Sequence, residues 1–85
     1  MKPEEIKSKL FKLMQPRLQR LGIQESDIDE HESLLGQGVF DSMAFIEFIT
    51  QMEEEFDIEM DFEEMDASDF TSVSQLINII NSFLS

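Results

Sequence analysis

Residues 36–56, GQGVFDSMAFIEFITQMEEEF, contain a clear helical pattern preceded by two glycines. At roughly 100° per residue, five apolar side chains of this stretch fall within one arc of about 100°. They are Phe45, Phe48, Ile49, Met52 and Phe56. The spacing predicts a helix from about Ser42 to Phe56 that buries this arc. Gly36 and Gly38 would let the backbone turn just before the helix begins.

A second helical pattern lies before this stretch. Pro3 suits a first helical position, Glu4 and Glu5 suit the positive end of the helix dipole, and Gly22 suits a stop. Pro16 is expected to bend this helix because it removes the bond to the Lys12 carbonyl. The predicted apolar stripe consists of Ile6, Leu10, Leu13, Arg17 and Leu21, widened by Met14 and Leu18.

The chain after residue 56 predicts two further helices. A short acidic segment anchored by Phe62 and Met65 is expected to form one or two helical turns. The last helix should begin near Ser72, because Ser72 and Gln75 have the spacing of a capping box. Its predicted core stripe is Val73, Leu76, Ile77, Ile80 and Leu84, with Phe83 beside it.

The β-branched residues fall at helical spacing, so no strand is expected. We predict an all-α, single-domain chain over residues 1–85. It should form a small four-helix bundle with a long loop between helices 1 and 2 and a short third helix. A loop of this length, over residues 22–41, is more often functional than accidental. Its apolar residues are spaced to hold it on the core: Ile23, Ile28, Leu34, Leu35, Val39 and Phe40.

Charge is distributed unevenly along the chain. The net charge is −13, and all six basic residues lie in residues 1–20, together with two of the 19 acidic residues. Such a field repels nucleic acid and anionic lipid and attracts proteins with basic patches. There is no apolar run long enough to span a bilayer, no secretion signal and no cysteine. We therefore expect a cytoplasmic monomer that binds no nucleic acid, does not insert into membranes and holds no metal.

The predicted second helix carries more apolar surface than its core face needs. Met43 and Ile46 lie off the core arc, on a side that also carries Thr50, Glu47, Glu53 and Glu54. Exposed apolar residues ringed by acids would form a docking surface for basic partners. Alternatively, Met43 and Ile46 pack under the long loop.

Ser42 lies where the loop meets this helix. An isolated Asp-Ser pair is most simply a helix cap, a role that both residue types fill often. Here, however, a long loop delivers Asp41 and Ser42 to the start of an acidic helix with surplus apolar surface. That context makes Ser42 a candidate functional residue.

The chain from about Glu25 to Leu84 resembles the acyl and peptidyl carrier proteins. The resemblance rests on Glu32-Ser33-Leu34-Leu35, on Gly38-Val39-Phe40-Asp41-Ser42-Met43, and on the spacing from that signature through Phe48 and Met52 to Glu53-Glu54-Glu55-Phe56 and Asp57-Ile58. It implies that Ser42 accepts a 4′-phosphopantetheine arm from coenzyme A through a phosphopantetheinyl transferase, with Asp41 supporting the site. The arm would carry acyl or aminoacyl groups as thioesters, so this chain would need no catalytic residues.

The resemblance also implies partner enzymes. These are the transferase, a ligase that loads the cargo, and downstream transferases or synthases of fatty-acid, polyketide, nonribosomal-peptide or aminoacyl-transfer pathways. Residues 38–43 look closer to free-standing aminoacyl and D-alanyl carriers than to fatty-acid carriers, because Val39 and Phe40 separate Gly38 from Asp41. The alternative is an acidic helical adaptor that binds basic proteins without a covalent arm.

Overall fold

A computed structural model of the chain describes residues 2–59 and 70–84. Within these ranges the chain forms three α-helices, α1 (Pro3–Leu21), α2 (Ser42–Phe56) and α3 (Val73–Leu84), and no strand. The predicted all-α class is confirmed. The short helix predicted around Phe62 and Met65, and with it the count of four helices, lies outside the described residues. No helix in the described part of the chain is long and apolar enough to cross a membrane.

The ends of α1 are those that the sequence predicts. The helix begins at Pro3 and continues through Pro16. It ends at Leu21 and is followed by Gly22, which adopts the left-handed conformation with φ +71°. The N–H of Gly22 donates to the Gln19 carbonyl, and the N–H of Ile23 donates to the Leu18 carbonyl at 2.9 Å. These bonds close the last turn in the way typical of a glycine C-terminus.

The buried face of α1 differs in part from the predicted stripe. Ile6, Leu10, Phe11, Met14 and Leu18 are buried, whereas Leu13 and Arg17 are only partly buried. The prediction that Leu21 belongs to the core stripe is wrong, because 41% of this residue is exposed. Leu21 is the last residue of the helix, and the chain turns away immediately after it, so no neighbouring element covers its side chain.

The core faces of α2 and α3 meet this face of α1. All five residues predicted for the α2 core are buried: Phe45, Phe48, Ile49, Met52 and Phe56. Val73, Leu76 and Ile80 of α3 are buried and Ile77 is partly buried. The prediction that Leu84 belongs to the core stripe is wrong, since this residue is 36% exposed at the end of the helix. Phe83, predicted beside the stripe, is 50% exposed.

The predicted capping box at the start of α3 is confirmed. The Gln75 N–H donates to Ser72 Oγ at 3.2 Å, and the Ser72 N–H donates to Gln75 Oε1 at 3.2 Å. Each side chain therefore satisfies a backbone donor of the other residue.

The loop between α1 and α2 is held in place at several points. It contains one 3₁₀ turn, Glu25–Asp27, and it buries Ile28, Leu34, Val39 and Phe40. The Leu34 N–H donates to the Thr71 carbonyl at 2.8 Å, which joins the loop to the segment before α3.

Within the loop, one side chain joins three backbone groups. The Gln37 amide nitrogen donates to the carbonyls of Asp29 and Glu32 at 2.8 and 3.1 Å, and its oxygen accepts from the Asp29 N–H at 2.9 Å. Gly38 follows with φ +79°, the left-handed turn that lets the chain approach α2. These contacts deliver residues 39–41 to the start of α2 in a defined path.

Candidate functional site

Asp41 forms the cap of α2. Its backbone is extended, with φ −87° and ψ 177°, and its Oδ1 accepts a hydrogen bond from the Ala44 N–H at 2.7 Å. The Asp41 carbonyl accepts the first helical bond, from the Phe45 N–H at 2.9 Å. Of the two cap-forming residues at this position, Asp41 therefore does the capping, and Ser42 is the first residue of the helix.

This arrangement leaves the Ser42 side chain free for chemistry. Ser42 is exposed, and its hydroxyl makes no hydrogen bond within the described part of the chain. The first N–H groups of any helix lack helical acceptors and favour a negative charge nearby. An exposed, unused hydroxyl at this position fits the attachment of a phosphate-linked group, because the phosphate would lie at the positive end of the helix dipole.

The two residues before Asp41 pack tightly against the body of the protein. The Phe40 ring stacks on Phe48, with 5.0 Å between centroids, and meets Phe45 edge-on at 6.0 Å. The Arg17 Nε donates to the Val39 carbonyl at 2.9 Å. Sequence reasoning did not assign this contact to Arg17, because the donor and the acceptor lie 22 residues apart and no local pattern connects them.

The outer side of α2 is both apolar and acidic. Met43 is 76% exposed and Ile46 is 64% exposed, so the alternative in which they pack under the loop is wrong. Thr50, Glu47 and Glu54 are exposed beside them. The Thr50 hydroxyl donates to the Ile46 carbonyl at 3.1 Å. Glu53 is partly buried and takes part in an interaction of its own, so it contributes less surface than its neighbours.

A further polar residue, His31, belongs to the loop between α1 and α2. Its side chain is exposed, and its backbone N–H donates to Asp29 Oδ1 at 2.9 Å. In residues 2–59 and 70–84, no three side chains of metal-ligating type come together.

Comparison with known proteins agrees with this geometry. The family model described as the phosphopantetheine attachment site matches residues 18–80, which is well over half of the chain. That range contains the loop, Asp41, Ser42 and all of α2. No solved structure matches the chain. Proteins of this family carry covalently attached 4′-phosphopantetheine, interact with partner enzymes and are generally non-catalytic themselves. The chain therefore belongs to the phosphopantetheine attachment site family and has the general role of a phosphopantetheine carrier.

Proposed function

We propose that residues 1–85 form one carrier domain, working as a monomer in the cytoplasm, that holds acyl or aminoacyl groups as thioesters on an arm attached to Ser42. The observation that carries this proposal is the division of roles at the start of α2. Asp41 caps the helix through the Ala44 N–H, and the Ser42 hydroxyl is exposed and has no hydrogen-bond partner among residues 2–59 and 70–84.

The residues around Ser42 support attachment of the arm. Its hydroxyl would replace the adenosine bisphosphate portion of coenzyme A on phosphorus, forming a phosphodiester and losing its proton to the transferase. The N–H groups of Ser42 and Met43, in the first turn of α2, would favour the negative charge of that phosphodiester. When attached, the arm supplies a flexible chain ending in a thiol, which forms the thioester with the cargo.

The outer side of α2 supports recognition by partner enzymes. Met43 and Ile46 offer apolar contact, and Glu47, Thr50, Glu53 and Glu54 surround them with acidic and polar groups. A basic surface on a phosphopantetheinyl transferase, a loading ligase or a downstream transferase or synthase would be complementary to it. Because Ser42 lies on the same helix, a partner docked here would also reach the arm.

Mass spectrometry tests the attachment. The purified chain is incubated with coenzyme A, Mg²⁺ and a broad-specificity phosphopantetheinyl transferase, and the intact mass is measured. We expect the wild type to gain one phosphopantetheine and Ser42→Ala to gain none while keeping the wild-type circular dichroism spectrum. Ser33→Ala is the control, a serine of the preceding loop whose hydroxyl accepts from the Gly36 N–H, and it should leave modification unchanged.

Two outcomes would contradict the proposal: a wild-type chain that gains no mass, or an arm that still attaches to Ser42→Ala. The adaptor alternative predicts the first outcome, combined with a stable complex between the unmodified chain and a basic protein. The exposure of Met43 and Ile46 is equally consistent with the adaptor alternative. The adaptor alternative, however, does not explain why the Ser42 hydroxyl is exposed and unbonded among the described residues.

A further inference from the structure

Arg17 of α1 makes two contacts with the segment that precedes the attachment residue. Its Nε donates to the Val39 carbonyl at 2.9 Å, and its guanidinium carbon lies 5.8 Å from the centre of the Phe40 ring. A hydrogen bond from a charged donor is roughly twice as strong as a neutral one, and a guanidinium within about 6 Å of an aromatic ring is attracted to its face. Arg17 is partly buried, so water screens these contacts less than it would at the surface.

Other contacts make Val39 and Phe40 the link between α1 and the first turn of α2. The Val39 N–H donates to the Leu34 carbonyl at 3.1 Å, so Val39 is bonded through both of its backbone polar groups. Phe40 packs on Phe45 and Phe48 of α2. Asp41, the next residue, supplies the cap. Loss of the Arg17 hydrogen bond to the Val39 carbonyl would therefore loosen Val39 and Phe40, which hold Asp41 in place.

Arg20 lies one turn further along the same helix and differs from Arg17 in these respects. It is exposed, and the described part of the chain offers it no hydrogen bond, ion pair or ring contact. The two arginines thus carry the same charge on the same helix, but only Arg17 bonds to the segment before Asp41.

We propose that Arg17 is a positioning residue, which holds Val39 and Phe40 so that Asp41 keeps the first turn of α2, and with it Ser42, in one conformation. The first turns of helices open with free energies near zero unless something holds them. Partner enzymes that contact this turn would bind the ordered form, and the fraction of molecules in that form would set the apparent affinity of those enzymes for the carrier. This last step rests on the proposed function, whereas the effect on the turn itself does not.

Hydrogen exchange tests the effect on the turn directly. We compare Arg17→Met with Arg20→Met, which removes the same charge three residues away, at the amides of Ala44 and Phe45. Both amides donate to Asp41 and report the cap and the first helical bond. We expect exchange at these amides to rise about tenfold or more in Arg17→Met, because a hydrogen bond from a charged donor is lost, and to stay at the wild-type rate in Arg20→Met. The amides of Ile49 and Met52, deeper in α2, should keep their wild-type rates in both variants.

Transferase kinetics test the consequence for the attachment site. In Arg17→Met an opening free energy near zero would leave about half of the molecules with the ordered turn, so the KM for the carrier should rise about twofold with kcat unchanged. If loss of a positive charge were the only effect, the KM would stay the same or fall in both methionine variants, because a basic transferase would bind the more acidic chain equally well or better. Arg17→Lys keeps the charge and loses the planar guanidinium, so its exchange and KM should lie between those of the wild type and Arg17→Met.

The outcomes separate the possibilities. Equal exchange at Ala44 and Phe45 in the two methionine variants would overturn the proposal. A rise in exchange rate spread evenly through α2 and α3 would also overturn it, because Arg17 would then stabilise the whole domain and not this turn. If Arg17→Met does not fold, Arg17→Lys carries the same comparison. A wild-type chain that accepts no arm would refute the proposed function, yet the exchange comparison would still decide the role of Arg17.

Discussion

At the start of α2, two adjacent side chains have separate roles, and the difference between them can be measured. Asp41→Ala removes the acceptor of the Ala44 N–H, and loss of an N-cap typically lowers the free energy of unfolding by about 0.5–2 kcal/mol. Asp41→Asn keeps a side-chain oxygen at that position and should keep most of the stability. Urea denaturation of the two variants checks this expectation.

The same pair of variants separates capping from charge at the attachment site. If Asp41 acts only as the cap, Asp41→Asn should accept the arm at the wild-type rate. If its carboxylate also attracts a basic transferase, Asp41→Asn should be stable but modified more slowly. An Asp41→Ala protein as stable as the wild type would show that the bond to the Ala44 N–H contributes nothing.

The sequence locates this site but does not assign the roles of its residues. Aspartate and serine are equally good caps, so local pattern predicts a helix starting near Ser42 without saying which side chain holds it. The choice depends on the direction in which the loop approaches α2, which long-range contacts set: Leu34 with Thr71, and Arg17 with Val39. Such contacts leave no periodic signal.

Among the helices, the buried face of α2 carries the clearest stability prediction. Phe48 is 3% exposed and stacks on Phe40, and truncation of such a side chain typically costs about 3–5 kcal/mol. Phe48→Ala should therefore lower the melting temperature sharply. Phe83→Ala is the matched control, because Phe83 is 50% exposed and its truncation should change the melting temperature little. Equal effects of the two substitutions would mean that the assigned core face is wrong.

Helical periodicity predicts the middle of each helix better than its ends. The five core residues of α2 are all buried because neighbouring elements cover the helix along its length. Leu21, Phe83 and Leu84 have the right angular position but lie in the last turns of α1 and α3, where they stay exposed. A helical wheel gives direction and takes no account of where the neighbouring helices end.

The outer side of α2 carries a prediction about recognition. The double variant Glu47→Lys with Glu54→Lys should slow attachment of the arm by the transferase. It should not unfold the domain, because both residues are exposed and neither contributes to the core. The effect should weaken as salt rises, since electrostatic steering acts on the association rate. Glu4→Lys with Glu5→Lys is the control, the same charge change at the first turn of α1, and should matter little.

Apolar truncation on the same surface should have a different kinetic effect. Met43→Ala or Ile46→Ala should speed dissociation of the transferase, because each removes contact area without changing charge. Surface-binding kinetics measure both rates. If the Glu47/Glu54 charge reversal and both apolar variants bind the transferase and accept the arm like the wild type, the docking surface lies elsewhere than on α2.

For the whole molecule, the dominant feature is an acidic chain with its basic residues confined to residues 2–20. Two ion pairs between described residues link α1 to acidic neighbours, Lys7 to Glu30 at 2.5 Å and Lys9 to Glu55 at 3.8 Å. All four side chains are more than a third exposed, and ion pairs at such positions typically contribute about 0–1 kcal/mol each. Two such pairs offset little of the repulsion in a chain of net charge −13.

Salt should therefore stabilise this protein. The Debye length falls from roughly 30 Å at about 0.01 M to roughly 10 Å at about 0.1 M, so sodium chloride should screen repulsion between separated acids over that range. Salt also weakens the two exposed ion pairs, but their small contribution predicts that relief of repulsion dominates and that the melting temperature rises. Lys7→Gln with Lys9→Gln removes the pairs and adds to the net negative charge, so its melting temperature should rise more steeply with salt than that of the wild type. A wild-type melting temperature that is flat or falls over this range would mean that the basic residues of α1 already compensate the acids. The melting temperature of the double variant should then rise with salt.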